Sequence, residues 1–347
     1  MAKAETSSKA RFTHTAAAPA KARPRGVKPL YAALDLGTNN CRLLIARGHN
    51  LQIVGSFSRV VRLGEGLACT GELGQAAIER TLDAMSQCAQ RIEKAEATRV
   101  RCVATEACRQ ARNGDAFVQR ERTETGIFLE PISVREEAEL TLSGCRGLTN
   151  PARAYVLLFD IGGGSTEVIW ASNGVGGPVI LGVISLPMGV VTLAERYDGR
   201  NLSEVAYQAI MTDVLSALDP FDTAHGISAE VASGSVQMIG TSGTVTTLGA
   251  FALGLARYER SRLDGLEIPI GELLNANALL KAMGGNARAA HACIGHDRAD
   301  LVLSGCAVLE AVCRLWPAAR LCVGNRGIRE GLLYAMAAAE HPADRAF

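Results

Sequence analysis

Apolar positions recur along the chain with two different periods. Tyr31 to Asp35 is a short β-type run ending in a carboxylate; the polar turn Leu36-Gly37-Thr38-Asn39-Asn40 follows, then the apolar run Cys41 to Ala46. This pattern predicts strand, turn, strand. Gly48-His49-Asn50 marks another turn, and Leu51 to Phe57 the next strand. The period then changes: Ile78, Leu82, Met85, Ala89 and Ile92 recur at steps of four and three, which places them on one face of a helix. Arg99 to Ala104 predicts a strand, Thr105 to Arg112 a short helix, and Ile127 to Val134 a strand leading into a Glu-rich helix. Strands alternating with helices predict an α/β layered architecture.

The pattern then restarts. Ala154 to Phe159 is a continuous apolar strand that again runs into Asp, giving Asp160-Ile161-Gly162-Gly163-Gly164-Ser165-Thr166-Glu167 before the return strand Val168-Ile169-Trp170. Asp35-Leu36-Gly37-Thr38 and Asp160-Ile161-Gly162-Gly163 are thus two strand–Asp–apolar–Gly–turn units 125 residues apart, with a partial echo at Thr241-Ser242-Gly243-Thr244. The intervening sequences differ, so two related domains are expected rather than two copies of a small repeat. Asn150-Pro151 is the boundary signal. Leu321 to Val323 predicts a last strand and Gly327 to about Ala338 a last helix; the apolar segment Val302 to Val312 fits a core helix or a dimer contact.

At 347 residues, 48% apolar and 20% charged, the chain has the composition of a globular protein of about two domains. No apolar run approaches the ~18 residues of a membrane span. The net charge of +1 hides an uneven distribution: residues 1–29 hold seven basic groups against one acid, leaving a body of −5. That segment has no periodic apolar face and no secretory core, so it is expected to be a disordered basic arm that adds salt-dependent attraction to a polyanion. The ten cysteines include no CxxC pair and several fall in apolar periodic segments, as buried free thiols do. A reducing cytoplasm follows as the expected compartment. The six histidines show no zinc-binding spacing, and His296-Asp297 lacks the further histidines a metal-dependent phosphohydrolase would need.

A glycine-rich turn between strands lets backbone N–H groups converge on one anion. Gly162, Gly163 and Gly164 with the Ser165 and Thr166 hydroxyls form one such turn, and Gly37, Thr38 and Asn39 another. A tight hairpin alone would explain either turn; the pair favours phosphate binding.

The paired turns resemble the actin-like ATPase and sugar-kinase superfamily. A further set resembles the exopolyphosphatase / guanosine pentaphosphate phosphohydrolase (Ppx/GppA) family: Asp35-Leu36-Gly37-Thr38-Asn39 with Arg42, Ala104 to Ala111, Ile132 to Ala138, Asp160 to Glu167, Met188-Gly189, Gly240 to Thr244, Arg298-Ala299-Asp300, and Arg326 to Gly331. These run in order from about 31 to 335. The resemblance implies two actin-like (ribonuclease H-like) domains facing across a phosphate-binding cleft. These are residues 30–149, with the helix at about 328–340 packing back on them, and residues 150–327. It implies a short two-domain form with no room for a C-terminal HD-type helical domain. It also implies release of terminal orthophosphate from polyphosphate, guanosine pentaphosphate or both, with Mg²⁺ as cofactor and K⁺ as a second cation, in a homodimer with no specific nucleic acid and no membrane. The −5 body favours a small nucleotide or short chain over long polymer in the folded part.

The resemblance also implies residue roles. The first Glu of the Glu-Glu-Ala run, Glu136, is expected to be the general base ahead of Glu137, so that Glu136→Gln abolishes hydrolysis. A helix-dipole role suits Glu136, Glu137 and Glu139 equally. Glu167 is expected to hold water or metal, and Asp35 and Asp160 to hold Mg²⁺ directly or through its waters. Arg42 and Arg109 are expected to fork onto phosphate oxygens. Four positions depart from the family pattern: Thr38 and Asn40 stand where Ser is usual, Val134 replaces a Gly, and Asn325 replaces an Asp, so that a salt bridge beside Arg326 is expected to be missing. Two alternatives remain: a guanosine tetraphosphate-binding regulator with little turnover, and a superfamily kinase.

Overall fold

The structure is a computed structural model that describes residues 28–340. Nearly all of the expected basic tail therefore lies outside the described residues. Two sheets form. The first has β1 (Leu30–Leu36), β2 (Asn40–Arg47), β3 (Gln52–Val60), β4 (Arg99–Ala104) and β5 (Leu129–Pro131) in the order β3-β2-β1-β4-β5. The second has β6 (Tyr155–Ile161), β7 (Thr166–Gly174), β8 (Gly177–Leu186), β9 (Val236–Thr241), β10 (Leu266–Pro269) and β11 (Arg320–Gly324) in the order β10-β11-β9-β6-β7-β8. Read from β8, the second sheet repeats the first: three antiparallel strands, then two parallel ones, with β10 added at the edge. The sequence echo is a structural one.

Alternation along each central strand sorts its residues between two layers. Ala32, Leu34 and Leu36 of β1 pack with Ile78, Leu82 and Met85 of the helix Gln75–Lys94, whose apolar face is the one the spacing predicts. Tyr31 and Ala33 point the other way, onto Ile328, Leu332 and Leu333 of the last helix, Ile328–Glu340. In the second sheet Leu157 and Phe159 join the largest core with the helix Val302–Leu315, which is core and not a surface. Val156 and Leu158 pack against Ala138, Leu142 and Cys145 of the helix Val134–Cys145. Leu140 of that same helix packs on the first sheet. One helix is thus held between both sheets.

All ten cysteines are free and all but Cys69 are buried, as their apolar settings predict. No helix of the described residues is long and apolar enough to cross a membrane.

Candidate active site

Each sheet offers its glycine turn to the same cleft. In the first, Gly37 N–H closes the turn on Asn40 O (2.9 Å), while Gly64 N–H takes the Thr38 carbonyl (3.0 Å) and Val61 and Arg62 N–H groups take the Asn39 carbonyl. In the second, Gly162 N–H closes on Ser165 O (2.9 Å); the carbonyls of Gly164, Gly162 and Gly163 accept from Gly189, Val190 and Val191 at 3.1, 2.9 and 2.8 Å. These last donors belong to the N-terminal end of the helix Val190–Arg196. In both turns the carbonyls are occupied from behind. The N–H groups of Thr38, Asn39, Gly163 and Gly164 make no hydrogen bond among the described residues and remain for a ligand. The turns also touch: a methyl group on Gly164 would lie 2.6 Å from Thr38 Oγ1, and one on Gly163 would lie 3.0 Å from Asn39 N. Only glycine fits there.

The cleft holds about 930 Å³ of empty space, part of it open to solvent. Its walls carry Asp35, Gly37, Thr38, Asn39, Arg42, Asp160, Gly162, Gly163, Gly164, Ser165 and Glu167, all expected from sequence. Register explains the arrangement: Asp35 pairs across β1–β2 with Arg42, as Asp160 pairs across β6–β7 with Glu167. The Glu167 carboxylate is buried and accepts from Ser185 Oγ (2.7 Å) and from Ser165. Burial raises the pKa of Asp35, Asp160 and Glu167. For Asp160 the rise is to about 7, with Glu167 repulsion adding to burial and Arg42 opposing it.

Three expected residues are placed differently. Glu136 does not line the cleft: its side chain is 38% exposed and pairs with Arg101 on β4. Glu137 lines it instead. The cause is helix geometry. Ser133 caps the helix by accepting from Glu136 N–H (3.2 Å), so Ser133-Val134-Arg135-Glu136 has capping-box spacing and Glu136 belongs to the helix end. The next residue is turned by about 100° and points inward. The Glu137 carboxyl is buried and pairs with Arg109 (2.6 Å); burial and the charge of Glu167 hold its pKa well above the carboxylate range.

Arg109 is the second correction. It does not line the cleft; its guanidinium is bound to Glu106, Glu137 and the Ile132 carbonyl. Third, Thr166 is fully buried and donates its hydroxyl to Met188 O (2.8 Å), away from any ligand. The expected gap beside Arg326 is also filled: Asn325 bonds Tyr258, and Arg326 finds its acid in Asp264 (2.6 Å).

Glu106, Ser242, Gly243, Thr244 and Arg298, which the sequence motifs contain but to which no role was assigned, also lie on the cleft wall. Ser242 sits at φ +132° and caps the helix Gly243–Ala252, accepting from Thr244 and Val245 N–H groups. Such a backbone angle is uncommon for a non-glycine residue and stores local strain at the cleft wall. Arg298 and Arg42 form no ion pair among the described residues, and burial together with Arg42 lowers the Arg298 pKa. Both guanidiniums lie on the cleft wall, where a bound anion could meet them.

No three His, Cys, Asp or Glu side chains among the described residues are arranged to hold an ion unaided. The donors nevertheless fit Mg²⁺, which takes one or two carboxylates and completes its shell with water and substrate phosphate. Asp35 and Asp160 are half-buried acids repelling each other, and the buried Asn39 Oδ1 has no partner among the described residues.

Fold and site together define an actin-like α/β protein whose two like sheets turn paired glycine loops toward one cleft. A model of the Ppx/GppA phosphatase family matches residues 44–340. The chain belongs to that family. It is 34% identical over 298 residues to exopolyphosphatase 2 of Mycobacterium tuberculosis, covering 82% of this chain and 89% of that protein. It is 29% identical over 321 residues to the guanosine-5'-triphosphate,3'-diphosphate pyrophosphatase of Photobacterium profundum, covering 89% of this chain and 60% of that longer protein. Among solved structures, an exopolyphosphatase-like protein superposes with a TM-score of 0.80 at 28% identity, covering 89% of this chain and 98% of that one. The Ppx/GppA family member of Aquifex aeolicus superposes with a TM-score of 0.74 at 25% identity, covering 90% and 99%.

Proposed function

We propose that the protein is a hydrolase releasing terminal orthophosphate from polyphosphate or guanosine pentaphosphate, with Glu137 as general base. The observation carrying this reading is Glu137 itself: a buried carboxyl on the cleft wall, facing two turns whose N–H groups are free. Phosphoryl transfer asks mainly for positioning and charge stabilisation, and this cleft supplies both. The turn amides seat the terminal phosphate, and Arg42 and Arg298 meet its non-bridging oxygens. Glu167, fixed by Ser165 and Ser185, orients a water. Glu137 takes that water's proton as its oxygen bonds to phosphorus; the bridging P–O bond breaks and the shortened chain leaves on its own phosphate oxygen. Burial makes the ionised Glu137 carboxylate a stronger proton acceptor. Mg²⁺, held by Asp35 and Asp160 with Asn39 Oδ1 beside them, supplies charge neutralisation when bound. The proposed lobes are residues 30–149 and 150–327, with the last helix on the first.

The test is orthophosphate release from long-chain polyphosphate and from guanosine pentaphosphate, with and without Mg²⁺, and with K⁺ replaced by Na⁺. Mg²⁺-dependent release from either supports the proposal. Tight guanosine tetraphosphate binding with no release would mark a binding regulator, and phosphate transfer from ATP to a sugar a kinase.

A further inference from the structure

Arg109 has four of its five N–H donors engaged. Nη1 donates to Glu137 Oε2 (2.6 Å) and to the Ile132 carbonyl (2.9 Å); Nη2 and Nε both donate to Glu106 Oε2, at 2.7 and 3.2 Å. Its side chain is 18% exposed, and the two carboxylates it joins are more buried still. Both acids line the cleft and Arg109 does not. A phosphate seeking Arg109 would have to displace two acidic side chains from a partly desolvated fork. Arg42 and Arg298 are open by comparison.

We propose that Arg109 is a positioning residue, bridging Glu106 and Glu137 so that the Glu137 carboxyl is fixed toward the attacking water, and that it takes no part in gripping substrate. The bridge is built from a short segment. Glu106 and Arg109 are three residues apart on the helix Glu106–Gln110, so they face the same side, and the guanidinium spans from there to the helix Val134–Cys145. The Ile132 carbonyl, just before that helix, fixes the plane of the fork. The Glu137 carboxyl thereby has one orientation. This assignment rests on Glu137 being the base.

The experiment compares Arg109→Met and Arg109→Lys with the unaltered protein in steady-state phosphate release, and measures tripolyphosphate binding by calorimetry. Misplacing a catalytic group by about 1 Å costs about 100-fold in rate, so Arg109→Met is expected to lose about that factor in kcat with KM and the tripolyphosphate Kd unchanged. Arg109→Lys is expected to recover part of the lost kcat, because an ammonium still pairs with Glu137 but cannot bridge both acids. A raised KM and weakened tripolyphosphate binding, with kcat retained, would overturn the proposal and return Arg109 to phosphate binding. Should Arg109→Met fail to fold, Arg109→Lys decides by the same split between kcat and KM. Absence of phosphate release from the unaltered protein would refute the hydrolase reading instead, and calorimetry would still report whether Arg109 grips phosphate.

Discussion

Glu121 is fully buried in the helix Gly114–Thr125, with Oε1 accepting from Thr125 Oγ1 and Oε2 unpartnered. Burial raises its pKa to about 7. A carboxyl whose folded pKa lies above its unfolded value of 4.5 binds more protons folded than unfolded between these values. Its favourable contribution is therefore complete below pH 4.5 and lost as pH rises through 7. The loss is on the order of 3 kcal/mol. Glu121→Gln is expected to unfold at higher temperature than the unaltered protein at pH 8, with the advantage vanishing near pH 4; thermal melts across that range check it, and a pH-independent difference would contradict it. Side-chain direction is also where the sequence was hardest to read. The resemblance put Glu136 ahead of Glu137 as the base, whereas the helix phase turns Glu137 toward the cleft. That phase was present in the letters: Ser133 three residues before Glu136 is a capping signal, and Glu137 shares its face with Leu140, Thr141 and Gly144, which are all buried. Nothing in the sequence, by contrast, pairs Arg109 with Glu106 and Glu137, because the second contact comes from a separate helix.

At the scale of elements, the helices Val134–Cys145 and Ile328–Glu340 cross in backbone contact. A methyl group on Gly331 would strike the Leu140 carbonyl, and one on Gly144 the Gly327 carbonyl and Gly331 N. Neither obstacle is a movable side chain. Gly331→Ala gains about 1 kcal/mol of helix propensity but forces the helices apart at a larger cost. A net destabilisation of about 2 kcal/mol is expected in urea unfolding, with lower kcat because Glu137 rides on the displaced helix; unchanged stability and rate would contradict this packing. β1 and β6 were legible because each is an apolar run that meets an Asp before its turn. β8 was not: Gly177, Pro178 and Gly182 break its pattern, and as an edge strand it lacks one neighbour. β10 is four residues with Glu267 and Pro269, too short to show a period. The strand expected over residues 127–134 shrinks to Leu129–Pro131 because proline lacks an N–H for the ladder and Ser133 already caps the next helix.

At the scale of the whole molecule, the repeated strand order sets two mirrored turns against each other, and contacts outside the turns hold them there. Arg62 follows β3 and forks onto Asp300 at 3.0 and 3.2 Å, and Gly66 N–H donates to Glu195 (2.8 Å) on the helix Val190–Arg196. These contacts brace the walls of a cleft whose acids repel one another. A net charge near zero is compatible with a phosphate substrate because attraction is local: turn amides, Arg42 and Arg298 face the cleft whatever the rest of the surface carries. On the proposed reading, the helix between the sheets presents Glu137 to that phosphate as the base. The most direct measurement is phosphate release by Glu137→Gln and Glu136→Gln side by side, with substrate binding measured for each. The account predicts that Glu137→Gln loses about 100-fold or more in kcat while still binding substrate, and that Glu136→Gln stays close to the unaltered protein. The reverse order, with Glu136→Gln inactive and Glu137→Gln active, would contradict it.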